Sequence, residues 1–270
     1  NTNRYNNNIS IGHSNFRDLN STVDYNANND YNISIGNIAG QTALGGYNSF
    51  IGHSSGVSAQ SNRCIALGYK SLYSSVGDDN IAIGYESMAD SRIAYGNNTY
   101  HSNSFFGNYS GSILKGDNNC GFGFKSQQIS TGNKNISIGS FALMQNSGTN
   151  NIAIGHSSNP KNSGSSNISI GINTLSLLNI NPDIVSGTNN VVLGSYSATS
   201  LTGSNNVCLG TYSNTEIDCN NSIAIGYRSF AASSNSIVLG DPTNDSIKIG
   251  LGTSSPEHNI DVRNNLYNST

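Results

Sequence analysis

Three features of this 270-residue sequence predict an all-β solenoid built from coils of one repeat each. A short apolar–small–apolar–Gly unit recurs along the chain, and its glycines keep a regular interval, from Gly36 through Gly52 and Gly68 to Gly84 and again from Gly107 through Gly123, Gly139 and Gly155 to Gly171. Asn, Ser and Gly, at 45, 45 and 30 residues, supply polar spacers and turns between the units. That interval, about 16 residues, is too short for a helix-pair repeat, and the alternation within the unit has the period of a strand. Each unit therefore reads as one coil, stacked on the next at about 4.8 Å.

Taken in order, the unit reads Ile9-Ser10-Ile11-Gly12, Ile33-Ser34-Ile35-Gly36, Ile65-Ala66-Leu67-Gly68 and Ile81-Ala82-Ile83-Gly84. It continues as Ile136-Ser137-Ile138-Gly139, Ile152-Ala153-Ile154-Gly155 and Ile168-Ser169-Ile170-Gly171. Val191-Val192-Leu193-Gly194, Ile223-Ala224-Ile225-Gly226 and Ile237-Val238-Leu239-Gly240 follow. Degenerate copies end at Gly52, Gly96, Gly107, Gly123, Gly210 and Gly250, which makes sixteen units and a rod roughly 75 Å long. The repeat glycines, Gly52 and Gly210 included, are assigned turn conformations closed to residues with a Cβ.

Within a unit the two Ile side chains point one way and the small residue between them points the other. The Ile ladder is expected to fill the coil interior as its core. The small residue is expected to lie where another surface comes close.

A small residue recurs three positions after the glycine, as in Ser55, Ser71, Ser126, Ser158 and Ser213, and a bulky one often follows, as in Leu72, Met88, Tyr100, Leu143 and Leu175. Asn-rich turns such as Gly148-Thr149-Asn150-Asn151 lead into the next unit, so each coil holds two short segments and two turns. Long intervals place loop insertions near 18–30 and 177–186, where a binding specificity is most cheaply housed. The short intervals around Gly96 and Gly107 suggest a local change of coil shape. Residues 1–250 thus read as the solenoid and 251–270 as a C-terminal capping or transition segment. Solenoid ends need caps against strand addition, and residues 1–7 and 256–262 are the candidates.

Composition narrows the function. Twelve Lys and Arg are scattered against fifteen Asp and Glu, for a net charge of -3, so no basic patch speaks for nucleic acid or a membrane surface. No apolar run approaches the roughly 18 residues of a membrane span, and residues 1–8 do not form a signal peptide. Cys64, Cys120, Cys208 and Cys219 form no C-x-x-C pair and have no His at zinc-site spacing, so they read as buried or loop thiols.

The run Asn-Ile-Ala-Ile-Gly, with Ser three positions on and an Asn-rich turn before the next copy, resembles the left-handed parallel β-roll of YadA-like trimeric adhesin heads. It is more similar still to the longer-period version in bacteriophage and large DNA virus fibres. The resemblance covers about residues 8–240 and implies three chains packed side by side around one axis. Ile247-Lys248-Ile249-Gly250-Leu251-Gly252-Thr253-Ser254-Ser255-Pro256 through Ile260-Asp261-Val262 is similar to the stretch that precedes an endosialidase-type intramolecular chaperone in such fibres. A chain ending at Thr270 then fits a mature fibre after chaperone release. Lack of a neck, stalk or anchor segment favours a virion or tail fibre over an autotransporter.

Candidate sites weigh toward binding rather than chemistry. His13, His53 and His156 follow repeat glycines, but Tyr69, Tyr85 and Tyr227 occupy the same slot, which marks a solvated ladder and not a metal site. Asp78, Asp79, Asp18, Asp24 and Asp30 read as solubilising charges and not as paired catalytic carboxylates. No nucleophile elbow, zincin motif, P-loop or calcium repeat is present, so no catalytic, cofactor or metal set is assigned. Tyr100, Tyr109, Tyr196 and Tyr212 are the candidate receptor contacts.

The expectation is a non-enzymatic homotrimeric fibre on a virus or phage particle, partnered by itself, by other virion or tail proteins, and by a host glycan or protein receptor. The rivals are a bacterial trimeric adhesin, a polysaccharide-depolymerising tail spike and a purely architectural spacer.

Overall fold

Apolar units at a constant spacing stack in register when each strand pairs with the next coil's copy of itself. The structure, a computed structural model, describes residues 7–15, 30–89, 99–176, 187–199, 201–244 and 247–263. Its strands pair in parallel, and no helix occurs among the described residues. A fourteen-stranded sheet runs from Ile9–Ile11 to Ile237–Leu239. Equivalent positions face each other throughout, as in Ile136↔Ile152, Ser137↔Ala153 and Ile138↔Ile154. On the other side of four successive coils, two-residue strands form a second sheet, with Ile113–Leu114, Ile129–Ser130, Gln145–Asn146 and Lys161–Asn162 in sequence, and Asn214–Thr215 pairs with Phe230–Ala231 farther along. The fold is a β-solenoid in which each repeat makes one coil.

Two details of the coil count differ from the sequence reading. Ile81–Ile83 pairs directly with Ser104–Phe106, so the copy ending at Gly96 contributes no strand to the sheet between them. The longer step from Gly84 to Gly107 thus leads from one strand of the sheet to the next, as the step from Gly171 to Gly194 does, and the expected change of coil shape around Gly96 falls on residues 90–98, outside the described residues. At the other end, Ile249–Leu251 leaves the main sheet and pairs in parallel with Ile260–Val262. The 18–30 loop (save Asp30), the 177–186 loop and Gly96 itself lie outside the described residues.

The orientation of the strands corrects the expected core. The central residue of the unit faces inward: Ser34, Ala66, Ala82, Ser137, Ala153, Ser169 and Ala224 are fully buried. The flanking residues face outward, with Ile65 at 44%, Ile136 at 41% and Ile138 at 42% exposure. From Ile9 and Ile11 through Ile33, Ile35, Ile81, Ile83, Ile152, Ile154, Ile168 and Ile170 to Ile223 and Ile225, the ladder lines the outer face of the sheet and is exposed or half-buried.

The reason is the narrow space between the two sheets of one coil, which holds about one large side chain per layer. That chain comes either from the strand centre or from the position four after the repeat glycine, and the two compensate. Ala66 is matched with Leu72, Ala82 with Met88, Ser137 with Leu143 and Ser169 with Leu175, all fully buried or nearly so. Where the strand centre is Phe50 or Phe105, the opposing position is Gly56 or Gly111. A Cβ on Gly56 would come within 2.5 Å of the Phe50 ring, and one on Gly111 within 2.8 Å of the Phe105 ring. Two Ile per strand would overfill this slot.

Asparagine closes the interior. Asn119 Oδ1 accepts from the backbone N–H of Asn135 at 2.9 Å, Asn135 Oδ1 accepts from that of Asn151, and Asn151 Oδ1 accepts from that of Asn167. Their Nδ2 groups donate to turn carbonyls, Asn135 to Gly148 at 3.0 Å and Asn151 to Gly164 at 3.0 Å. The ladder runs from Asn8 to Asn206 and is broken at Cys64, whose Sγ stands in as acceptor for the Asn80 N–H at 3.3 Å. The residue before each ladder Asn adopts positive φ; at Asn150 (58°) and Asn205 (61°) it is a short polar side chain that tolerates the conformation, while Tyr47 (63°) and Lys134 (57°) are held in it by the same coil geometry. Gly139 is a different case: at φ 130° a Cβ would sit 2.5 Å from the carbonyl oxygen of Gly155 in the next coil.

Candidate functional site

Because the interior takes the small residues, the outer face of the long sheet is left apolar. Its two columns carry Ile65, Ile136, Ile152 and Ile168 on one side and Leu67, Ile138, Ile154 and Ile170 on the other. Phe106 and Phe122 stack within the second column, with ring centroids 4.6 Å apart. Cys120 occupies a first-column position beside Ile136 and is half-buried. The opposite face differs: Lys115, Thr131, Gln145, Ser147 and Lys161 are exposed there around Ile129, and all of these but Lys115 border an open groove of about 370 Å³. One face is thus apolar along the sheet, unbroken in the second column and interrupted in the first by Ser49 and Ser104, and the other is largely polar. Full burial of one Ile is worth about 1.5–3 kcal/mol, so a continuous exposed ladder marks a contact surface.

A second stripe follows the turn after the repeat glycine. His53, Tyr69, Tyr85, Tyr109, Phe124, Phe141 and His156 form an unbroken chain of ring contacts across seven coils, at centroid distances of 5.0–6.0 Å. Rings at the same position in successive coils stack, as Tyr69 and Tyr85 do at 15°. Where the ring alternates between the first and second residues after the glycine, neighbours stand near-perpendicular, at 85° for Tyr109–Phe124 and 88° for Phe124–Phe141. Lys70 Nζ lies 5.3 Å from the Tyr69 ring centroid, and Lys125 Nζ lies over Phe124 at 5.3 Å. A shorter stripe joins Tyr196, Tyr212 and Tyr227, with Arg228 over Tyr227. The sequence carried this signal in the alternating Tyr and Phe after the glycines.

The four tyrosines singled out as receptor contacts separate. Tyr100 is 3% exposed and packs in the core cluster with Leu72, Met88 and Phe105, which removes it as a surface contact. It belongs to the turn before the strand, its N–H bonded to the Val76 carbonyl, because the preceding insertion shifts it out of the slot assigned to it. Tyr109 lies within the longer stripe. Tyr196 and Tyr212 are exposed but stack on each other at 14°, which covers one face of each ring.

The titratable groups are engaged in stacking coils. Asn62 N–H donates to Asp78 Oδ1, Asp78 N–H to His101 Nδ1 at 2.9 Å, and His101 N–H to Asp117 Oδ1 at 2.7 Å. That ladder sets the His101 proton on Nε2. Arg63 grips Asp79 with two hydrogen bonds of 2.6 and 2.8 Å and holds its carboxyl below the ordinary carboxylate range. A general acid for glycoside cleavage needs the opposite shift. His13 and His53 Nδ1 bond the neighbouring Ser14 and Ser54 hydroxyls. Among the described residues, no three His, Cys, Asp or Glu side chains of one chain converge as a metal site. Asp18 and Asp24 lie outside the described residues. All four cysteines are free thiols, and burial pushes Cys208 up to about 12. No helix among the described residues is long and apolar enough to cross a membrane.

No protein-family model matches the chain, and no curated protein matches it either. Among solved structures, the chain is similar to the collagen-binding domain of the Yersinia adhesin YadA at 16% identity, over 92% of this chain and 89% of that one, with a TM-score of 0.26.

Proposed function

We propose that the chain is one subunit of a homotrimeric fibre on the surface of a virus or phage particle, where it holds a binding surface off the particle and attaches it to glycans or proteins of the host. One observation carries this reading: the apolar outer face of the fourteen-stranded sheet, which a lone chain leaves in water. A solenoid lengthens by adding coils, so a face of this kind grows into a long seam, and side-by-side association buries it along its full length. Three chains, rather than two, follow from the resemblance of the repeat to trimeric heads, and the particle follows from the resemblance of residues 247–262 to fibre sequences. Three identical outer surfaces then turn weak receptor contacts into tight attachment by raising the effective concentration of the second and third.

Light scattering of the purified chain tests the assembly. A mass near three times 28.4 kDa is the expected result, and a folded monomer would sink the reading. A trimeric adhesin on a bacterial surface is the alternative that the same apolar face serves. Antibody labelling of purified particles separates the two, because a cell-anchored adhesin is absent from them.

A further inference from the structure

We infer that the zigzag of rings Tyr85, Tyr109, Phe124 and Phe141, with Lys70 and Lys125 packed against the same stripe, is a binding track for an anionic polysaccharide. The inference deepens the attachment reading above by naming the ligand class and its place, and it rests on that reading for the display of the track.

Three observations meet on these residues. The successive rings stand at 62°, 85° and 88° to one another, so in each pair at least one ring turns a face away from its partner. Free aromatic faces take the C–H faces of sugar rings, a contact that the parallel stack at Tyr69–Tyr85 covers on one side. The ring-to-ring steps of 5.3, 6.0 and 5.4 Å are comparable with the width of one pyranose, which lets an extended chain lie along the solenoid.

Charge selects the anionic class. The chain carries a net -3, yet among the described residues at the two positions after the repeat glycines of this stripe Lys70 and Lys125 stand against one acid, Glu86. Lys125 Nζ sits 5.9 Å from the Tyr109 centroid, 5.3 Å from Phe124 and 6.0 Å from Phe141, so one ammonium is centred on three rings. A carboxylate or sulfate on a sugar stacked there meets that ammonium directly, whereas a neutral glycan leaves it without a counter-charge.

The test uses the full assembled chain against immobilised heparin, polysialic acid and neutral dextran. Heparin or polysialic acid is expected to retain the protein, and dextran is not. The double variants Phe124→Ala/Phe141→Ala and Lys70→Gln/Lys125→Gln are each expected to weaken retention at least tenfold. Lys115→Gln/Lys161→Gln removes the same charge from the opposite face and is expected to change it less than twofold. Equal losses in the two lysine pairs, or no retention on either anionic probe, overturn the inference. So does an aromatic variant whose light-scattering mass departs from that of the parent, since the rings then pack against another copy of the chain. A trimer that ignores every probe removes the track and leaves the fibre standing. A monomer that still binds the anionic probes does the reverse.

Discussion

Asn159 occupies the slot that Leu143 and Leu175 fill in the adjacent coils, fully buried, and neither atom of its amide has a hydrogen-bond partner among the described residues. A buried amide without partners costs about 1–3 kcal/mol, while leucine at the same position is already accepted one coil away on each side. Asn159→Leu is therefore expected to raise stability by about 1–3 kcal/mol, read as a higher denaturation midpoint. A lower midpoint would show that the amide is satisfied by bound water. The ladder asparagines behave oppositely. Asn135 makes four hydrogen bonds through its Oδ1 and Nδ2, so Asn135→Ala orphans buried groups in two coils and is expected to cost about 2–5 kcal/mol. The two residues look alike in the sequence, both Asn in an Asn-rich chain. What separates them is whether the side chain meets another coil's backbone or a neighbouring leucine.

One coil layer is a volume shared between the strand centre and the residue four past the glycine. Phe50→Ala alone should cost about 3–5 kcal/mol through the cavity it leaves. Gly56→Leu alone drives a side chain into the Phe50 ring and should destabilise at least as much. Combined, the two recreate the Ala66–Leu72 arrangement, and the double variant is expected to recover most of the loss. Additive losses in the cycle would refute the shared slot.

The C-terminal pair is a separate element with its own acid dependence. Arg263, together with the Glu257 N–H, holds the Asp261 carboxyl below its ordinary value. A pKa depressed by folding contributes stability that is present above about pH 4 and lost as pH falls through the folded value. Amide exchange at Glu257 and Arg263 should therefore accelerate below about pH 4 while the main sheet stays protected. Protection that is flat with pH would contradict it.

Over the full length of the sheet the decisive variable is whether the Ile face is covered. Cys64, Cys208 and Cys219 are buried inside the coils, and Cys120 alone of the four thiols lies on that face. The native assembly is expected to show no thiol that reacts promptly with a disulfide reagent. Ile136→Lys/Ile138→Lys should lower the light-scattering mass to that of one chain and expose one reactive thiol per chain. A reactive Cys120 in the unaltered protein would mean that the face is open.

The repeat length, the in-register pairing and the turn at each glycine were legible in the order of residues, because strand alternation and turn chemistry are local and recur in every coil. The recurrence of a small residue three positions past the glycine was legible too, but its complete burial, from Ser55 through Ser126 to Ser229, came only from the structure. The direction of the Ile ladder was not legible. Alternation separates two faces of a strand but does not say which is inside, and the ordinary preference for burying Ile pointed the wrong way. Tyr100 escaped for a related reason, since an insertion upstream put its slot out of step. Period and register follow from the chain's own repetition, whereas inside and outside follow from how much room two sheets leave between them: enough for a serine or alanine opposite one leucine, and too little for a pair of isoleucines.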